Sequence, residues 1–272
     1  MKNIREPAVA GMFYSSSPAK LKGDIQLLLD LTRSDDLYQD VVGIVSPHAG
    51  YVYSGKTAAY GFNAIGGKKY ETVIIISPSH KEYFTGISIY NGDAYRTPLG
   101  DVPLNKVMVA RLTENSKTIF EGIYGHRSEH AVEVQIPFLQ MVMNNFMIVP
   151  IVIGDQSKMF VDDLAEKLAE VADESTLIVA SSDLSHFHTK NEADKLDSII
   201  ENRINNFEYE KLQTDFETER CEACGGGTIV ALMKTGDLIN KRKSQVLSRT
   251  DSGDITGDPS EVVGYLSAVV YG

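Results

Sequence analysis

Short, continuously apolar runs recur along the chain and alternate with segments of helical periodicity. Runs rich in valine and isoleucine are typical of strands covered on both faces, and they lie at 41–45, 72–76, 147–153 and 176–180. Apolar residues recur every three or four positions, as in helices, in 56–65, 131–143, 160–172 and 192–207. This alternation predicts an α/β fold with a mixed, largely parallel central sheet and helices on both faces.

The rest of the chain adds a few elements and no second domain. Residues 262–270 indicate a late strand, and 87–90 followed by 96–100 indicate a hairpin-like insertion. We find no internal repeat, low-complexity tract or Pro/Ser-rich linker. We therefore predict one domain over residues 1–272.

Composition excludes several classes of protein. The 272 residues carry 26 Lys and Arg against 37 Asp and Glu, a net charge of −11, which argues against a nucleic-acid or anionic-membrane surface. Two cysteines in this length favour a reducing compartment. The first seven residues lack the apolar core of a signal peptide, and no apolar run approaches the roughly 20 residues that span a bilayer. We predict a cytoplasmic protein.

Histidine-bearing polar segments follow three of the predicted strands. His48 lies in Pro-His-Ala-Gly-Tyr after the first strand, His80 in Pro-Ser-His after the second, and His186 in Asp-Leu-Ser-His after the 176–180 strand. Ligands in open α/β sheets bind beyond the carboxyl ends of the strands. One such histidine is typically structural, but three of the six in the chain favour a functional cluster.

His48 and His80 are two candidate metal ligands, and the segment Cys221-Glu-Ala-Cys224-Gly-Gly-Gly offers a third. A cysteine near a helix N-terminus has its thiolate favoured by the helix dipole. A thioredoxin-like redox pair is less consistent with the pattern, because that motif follows a strand, whereas this one follows the charged, helical segment 208–220. Simple apolar packing remains open for either cysteine.

A second group of polar and aromatic residues has weaker signals. His130 and Glu133, three residues apart, share a helical face and are candidates for substrate contact, although Glu129 and Glu133 also suit an ordinary first helical turn. Phe13 and Tyr53 are candidates for a pocket wall, although most aromatic side chains are core residues.

Several of these segments together closely resemble the Memo family, in the family's order and over nearly the whole chain. The segments that carry the resemblance are Arg5-Glu-Pro, Ala10-Gly-Met-Phe-Tyr14, Pro47-His-Ala-Gly-Tyr-Val-Tyr-Ser-Gly55, Ser77-Pro-Ser-His80, Ser128-Glu-His130, Ser181-Ser-Asp-Leu-Ser-His186 and Cys224-Gly225. Bacterial and archaeal members are also called AmmeMemoRadiSam system protein B. The family's fold is similar to that of class III extradiol dioxygenases of the LigB type, which are non-haem iron enzymes.

The resemblance implies site residues and a cofactor. His48, His80 and Cys224 match the positions where the family binds one metal ion, iron or copper, with zinc also compatible. Asp183 and His186 match further pocket residues, and His186 falls near the general base of the dioxygenases. The dioxygenases use two histidines and a carboxylate, whereas a thiolate here favours softer metals, so the likeness does not imply ring cleavage. AMMECR-type and radical-SAM partner proteins are implied by association.

Three hypotheses follow. The first is a metal-dependent, dioxygenase-like oxidoreductase acting on a small organic substrate, with His186 as a non-coordinating acid–base group that Asp183 orients. The second is a non-catalytic protein that holds a metal or a peptide. The third is a zinc hydrolase. In each case we predict that Cys221 is neither a ligand nor part of an obligatory disulfide.

Overall fold

The computed structural model describes residues 3–34 and 38–272. Its strands are β1 Ile4–Arg5, β2 Gly43–Ser46, β3 Thr72–Pro78, β4 Ile87–Tyr90, β5 Ala94–Thr97, β6 Gly100–Pro103, β7 Ile119–Gly122, β8 Met147–Ile153, β9 Thr176–Ser181, β10 His186–His188, β11 Lys243–Asp251 and β12 Val262–Tyr271. Its α-helices are α1 Pro18–Leu31, α2 Tyr51–Ala64, α3 Lys106–Thr113, α4 Ile136–Val142, α5 Lys158–Val171, α6 Lys190–Asn205, α7 Tyr209–Glu217, α8 Gly226–Leu238 and α9 Gly253–Thr256. A 3-10 turn, Glu133–Gln135, precedes α4.

The central sheet has nine strands, in the order β10-β12-β2-β9-β3-β8-β4-β7, with β11 paired to β12. The middle strands β2, β9, β3 and β8 are parallel to one another. On one flank β12 pairs antiparallel with β2, and on the other β4 pairs antiparallel with β8. The predicted α/β class with a mixed sheet is confirmed, and its parallel part is confined to the middle strands and the β4–β7 pair.

Both faces of the middle strands are covered, which explains why their sequences are apolar throughout. Ile74 and Ile76 of β3 pack into one core with α3, α5, α6, α7 and α8. Val73 and Ile75 pack into the other core with α1, α2 and α4. All four side chains are fully buried. A strand with no solvent-facing side shows no alternation of polar and apolar residues.

Two sequence predictions need correction. The segment 131–143 is not one helix, because Pro137 lies in the first turn of α4, a position proline tolerates since it lacks an N–H; residues 133–135 form the 3-10 turn instead. Residues 87–90 are not part of a hairpin. They form β4 of the central sheet, and the four side chains of this strand are all buried. The hairpin consists of β5 and β6 and belongs to a separate small sheet, in which β5 also pairs with β1.

The adjacent parallel strands β2, β9 and β3 bring three chain segments to one edge of the sheet. Their carboxyl ends are Ser46, Ser181 and Pro78. The segments after these ends carry the predicted site residues, so the topology alone places those residues side by side. Among the described residues, no helix has both the length and the apolar character needed to cross a bilayer.

Candidate metal centre

His48, His80 and Cys224 converge at the carboxyl edge of the sheet. Each lies two residues from a regular element: His48 after β2, His80 after β3 and Cys224 before α8. One imidazole nitrogen from each histidine and the cysteine sulfur lie within 4.8 Å of one another. The Cys224 Sγ is 3.1 Å from His48 Nε2.

The His48 ring is buried and neutral. Burial, followed by the charges of His80 and His130, holds its pKa well below the ordinary value of 6.5. Its Nδ1 lies 2.9 Å from the Ser181 hydroxyl, and its backbone N–H donates to Asp183 Oδ1 at 2.7 Å. A neutral imidazole is the form that binds a metal.

The Glu129 carboxylate orients His80. His80 Nδ1 donates to Glu129 Oε1 at 3.0 Å, and the His80 backbone N–H donates to Oε2 at 2.6 Å. Because a carboxylate only accepts, Nδ1 carries the ring proton and Nε2 keeps its lone pair. Burial would raise the pKa of Glu129, but hydrogen bonds from His130 and His80 outweigh it and hold that pKa far below its usual range.

Glu129 accepts further hydrogen bonds. Its two oxygens also receive the His130 ring Nδ1 and the backbone N–H groups of His130 and Ala131, so five N–H groups converge on one carboxylate. Glu129, His80 and His130 form a second close group of possible ligands. Four of these donors meet Oε1, whereas Oε2 accepts the His80 backbone N–H, so the carboxylate orients two imidazoles and keeps acceptor capacity on Oε2.

Cys224 is a thiol that needs a cation to ionise. Burial, followed by the charge of Asp183, raises the pKa of its thiol above the ordinary value. The expectation that the α8 N-terminus favours the thiolate is therefore wrong for the protein alone, because the desolvation cost exceeds the help from the N–H groups of Asp183 and Gly225. A bound metal ion would supply the positive charge that stabilises the thiolate.

Glycine at position 225 allows the approach of Cys224 to the sheet. A Cβ at this position would lie 2.4 Å from the backbone oxygen of Ser181 at the end of β9. The Cys224 carbonyl is held from the other side, where Gln156 Nε2 donates to it at 2.7 Å. Cys221, in contrast, is buried in the apolar core beneath the sheet and lies outside the ligand group.

Asp183 and His186 are near the centre, but their predicted relationship is wrong. His186 Nδ1 donates to the Leu184 carbonyl at 2.8 Å, so a backbone oxygen orients this ring. The Asp183 carboxylate instead contacts His48: its Oδ1 accepts the His48 backbone N–H, and its Oδ2 is 4.0 Å from His48 Nε2. Burial raises the pKa of Asp183. The His186 backbone N–H donates to Glu222 at 2.9 Å.

His130 and Phe13 border the three ligands. The His130 ring centroid is 4.8 Å from that of His80 and 5.4 Å from that of His48. The Phe13 ring packs on His130 with centroids 4.8 Å apart. Tyr53 lies in the first turn of α2 and is 43% exposed, so it occupies the outer rim of this edge.

Glu133 lies away from the centre. It is fully buried, forms an ion pair with Arg5, and accepts a hydrogen bond from the Tyr14 hydroxyl at 2.5 Å. The expected shared face with His130 is wrong, because residues 130–132 precede the 3-10 turn and do not continue it as a helix. Glu133 instead fixes the N-terminal segment that carries Phe13.

Three residues that hold the ligands were missed as functional from the sequence: Glu129, Gln135 and Ser181. Glu129 had a signal, since it adjoins His130 in a segment already singled out. Ser181 ends an apolar strand and Gln135 lies in an apolar segment, and both are fully or almost fully buried. The sequence signal for such residues is a polar residue within an apolar run, because a polar side chain that is buried there needs hydrogen-bond partners.

The donor set suits a metal ion. Zinc, for comparison, is bound at about 2.0–2.1 Å by histidine nitrogen and about 2.3 Å by cysteine sulfur, so ligand atoms a few ångströms apart can share one ion. The ligand atoms of His48, His80 and Cys224 lie within 4.8 Å of one another, which is close enough for them to share one ion. Imidazole nitrogen and a cysteine sulfur without a counter-charge also match the chemistry of a soft or borderline metal.

Comparisons with known proteins identify the family of the chain. The family described as Memo-like protein matches residues 5–269. A MEMO1 family protein of Thermoplasma volcanium is 37% identical over 267 residues, which cover 98% of each chain. Another from Thermotoga maritima is 37% identical over 288 residues, and one from Methanobrevibacter smithii is 34% identical over 279.

A crystal structure of an uncharacterized Escherichia coli K12 protein shares the fold. It superposes with a TM-score of 0.53 at 14% identity, covering 84% of this chain and 98% of the other. The family match over almost the entire chain, together with relatives of this identity and coverage, establishes that the chain belongs to the Memo-like protein family.

Proposed function

We propose that His48, His80 and Cys224 bind one redox-active metal ion, iron or copper, and that the protein is an oxidoreductase acting on a small organic substrate. The observation that carries the proposal is the convergence of two imidazole nitrogens and one thiol within 4.8 Å, at the edge of the sheet where α/β proteins bind ligands. A bound ion of this kind would supply electron transfer and the activation of dioxygen or substrate.

The chain supplies two candidate acid–base groups beside these ligands. His130 Nδ1 is held by Glu129, and His186 Nδ1 is held by the Leu184 carbonyl. In each ring Nε2 is therefore the nitrogen that is free to take up or return a proton. Phe13 covers one side of His130 and limits the access of water there.

The thiol separates this site from the carboxylate-containing iron sites of the dioxygenases. No carboxylate belongs to the group formed by His48, His80 and Cys224, and Glu129 contacts the two rings of His80 and His130 instead. Thiolate donors favour softer metals than carboxylates do. We therefore propose redox chemistry without assigning ring cleavage.

The metal content of protein purified without oxygen tests the proposal. We expect a single equivalent of iron or copper in the wild type and almost none in His48→Ala. His188→Ala is the matched control, because His188 forms an ion pair with Glu222 outside the ligand group. Zinc as the sole metal would overturn the redox assignment. A wild type that stays metal-free after reconstitution would overturn the proposal altogether.

The Cys224 thiol also supports a proposal about the cellular compartment of the protein. Cys221 and Cys224 are both free, and Cys224 must stay reduced to bind a metal, which supports our proposal of a cytoplasmic protein. We propose a small molecule or a peptide as the ligand of the site, with AMMECR-type and radical-SAM proteins as partners. Copurification from the native cytoplasm tests the partners.

A further inference from the structure

We propose that a cavity beside the segment 221–224 binds a small organic cation, an amine or guanidine with an apolar body. The cavity has a volume of about 610 Å³, which is typical of small-molecule sites. Its walls come from α6, α7, the segment between α7 and α8, and the first turn of α8. None of the three proposed metal ligands and neither acid–base histidine lines it, so the proposal does not depend on a bound metal.

Two glycines at the start of α8 make room for the cavity wall. A Cβ at Gly226 would lie 2.8 Å from the Phe216 ring, and a Cβ at Gly227 would lie 3.0 Å from the Gln156 side chain. Both neighbours line the cavity. The glycines that follow Gly225 therefore allow an aromatic ring and an amide to pack against the beginning of the helix.

The N-terminus of α8 offers no site for an anion. A helix N-terminus binds anions through free backbone N–H groups. The three N–H groups of residues 225–227 instead donate to protein acceptors, which are the Ser182 hydroxyl, the Ala223 carbonyl and Gln156 Oε1. A ligand in the cavity must therefore bind to other groups.

The groups that remain for a ligand are acceptors. Among the described residues that line the cavity are Glu219 and Glu222, and no lysine or arginine. The Glu219 carboxylate has no hydrogen-bond or ion-pair partner in the part of the chain that the structure describes. Glu222 accepts the His188 ring and the His186 N–H on Oε1, which leaves Oε2 for a ligand. Two carboxylates with spare acceptors favour a cation.

Gln213 adds a neutral acceptor that has no partner. Its side chain lines the cavity, and the residue is 7% exposed. Its Nε2 donates to Glu217 Oε1 at 2.9 Å, and this contact fixes the amide orientation because a carboxylate only accepts. Oε1 is left buried without a hydrogen-bond partner among the described residues. An unpaired buried acceptor is costly, and a ligand that donates an N–H to it removes that cost.

Glu219 occupies a backbone position that suits glycine. It follows Thr218, the C-cap of α7, with a φ of 54°, and the next backbone N–H, from Arg220, donates to the Asp215 carbonyl at 2.9 Å. Helices that end in this way usually have glycine at the left-handed position, because a side chain there costs stability. The helix end therefore does not explain the glutamate, whereas a carboxylate in the wall of a cation site does.

Three probes with the same apolar body test the class of ligand. Phenylbutylamine, phenylbutanol and phenylbutyrate differ in the charge of the head group, and agmatine serves as a second cation with a guanidine group. The probes are titrated by calorimetry into the full chain, as purified and after metal removal. We expect the amine to bind both forms about tenfold more tightly than the alcohol, and the carboxylate to bind more weakly than either.

Two variants locate the binding site. Glu219→Gln should weaken the binding of phenylbutylamine by about two- to fivefold, as expected for an exposed ion pair, and Gln213→Met by about tenfold, as expected for a lost hydrogen bond to a charged group. Glu210→Gln is the matched control and should bind like the wild type, because Glu210 is an exposed glutamate of α7 that does not line the cavity. If Gln213→Met does not fold, Glu219→Gln decides, since its side chain is exposed.

Glu219→Gly separates binding from a structural role. This variant should lose affinity for the amine and raise the thermal midpoint of unfolding, because glycine suits the left-handed position. A lower midpoint would show that the glutamate stabilises the helix end and would remove this support. The proposal would be overturned if neither cation bound at millimolar concentration, if the amine and the alcohol bound equally, or if the amine bound only the metal-containing form. Equal losses in Glu210→Gln and Glu219→Gln would also overturn it, because net charge alone would then attract the amine.

Discussion

His80 and His130 donate from Nδ1 to the same carboxylate oxygen, Oε1 of Glu129, over 3.0 and 3.1 Å. One of these rings is a candidate metal ligand and the other a candidate acid–base group. A single buried carboxylate therefore sets the orientation of both, and the backbone N–H groups around it keep it ionised.

Replacing Glu129 with glutamine should disturb the centre without removing a ligand. The amide keeps one acceptor oxygen, but its NH₂ must face at least one of the N–H groups that now converge on Glu129, such as the His80 backbone N–H. We expect metal affinity to fall by about 10–100-fold. Calorimetric titration of the metal-free protein measures this.

The control for this substitution is Glu82→Gln. Glu82 is bound to Arg127 and the Gly125 N–H near the surface and contacts none of the ligands. Equal affinity in the wild type and in both variants would show that Glu129 does not orient His80.

The two cysteines should separate metal binding from stability. Cys224→Ser removes the thiol of the ligand group and should abolish metal content. Cys221→Ser replaces a thiol packed against the apolar core with a hydroxyl that is costlier to desolvate, so it should keep its metal and lose about 1–3 kcal/mol of unfolding free energy. Elemental analysis and urea unfolding give the two readouts. An equal loss of metal in both variants would mean that both cysteines bind.

His126 should make the protein sensitive to acid. It is buried, donates from Nε2 to Ser88 O, and accepts at Nδ1 from the Tyr95 hydroxyl at 2.7 Å. Burial lowers its pKa to about 3. Because this folded-state pKa lies below the ordinary 6.5, the stability that the neutral ring contributes is complete above pH 6.5 and is lost as the pH falls towards 3.

His126→Gln tests this without removing the hydrogen-bonding groups, since the amide can donate to Ser88 O and accept from Tyr95. Between those two pKa values, the slope of unfolding free energy against pH should fall by about 1.4 kcal/mol per pH unit. Denaturant titrations across this range measure the slope. An unchanged slope would show that His126 is protonated in the folded protein.

Asp197 has the opposite pH dependence. It is 2% exposed and accepts the Ser185 N–H, and burial raises its pKa from 3.8 to about 6. Because the pKa of Asp197 is higher in the folded than in the unfolded protein, the protonated carboxyl contributes to stability. This contribution is complete below pH 3.8 and is lost as the pH rises through about 6. Asp197→Asn should therefore stabilise the protein in alkaline buffer by about 2–3 kcal/mol.

The same substitution should give no gain in acid, where the carboxyl of the wild type is protonated. Thermal unfolding at both ends of the pH range tests the pair of expectations. A gain that is independent of pH would show that the effect comes from packing and not from ionisation.

The sequence predicted the central sheet well, because strands such as β3 are apolar on both faces. It also indicated which side chains would meet, since His48 and His80 follow β2 and β3, the two strands that flank β9 in the parallel part of the sheet. It failed for 87–90, whose short apolar run suits a hairpin as well as a buried strand. Whether such a run forms a hairpin or a buried strand depends on the segments that pack on it, and those segments lie far away in the sequence.

Orientation within the centre was harder to predict than proximity. The Leu184 carbonyl, and not Asp183, holds His186, because backbone oxygens compete with side chains as acceptors and leave no trace in the sequence. The pKa of Cys224 followed its burial and not its position before α8. Both outcomes depend on how far water is excluded, which a linear pattern does not specify.

The distance along the chain between His48 and Cys224 has a consequence for biosynthesis. Their side chains touch across 176 residues of sequence, so most of the polypeptide must leave the ribosome before sulfur and imidazole can meet. The two histidines emerge early, yet they lack the thiol that completes the set. If the three side chains bind a metal as we propose, the complete ligand set is available only late in synthesis, after the sheet has folded.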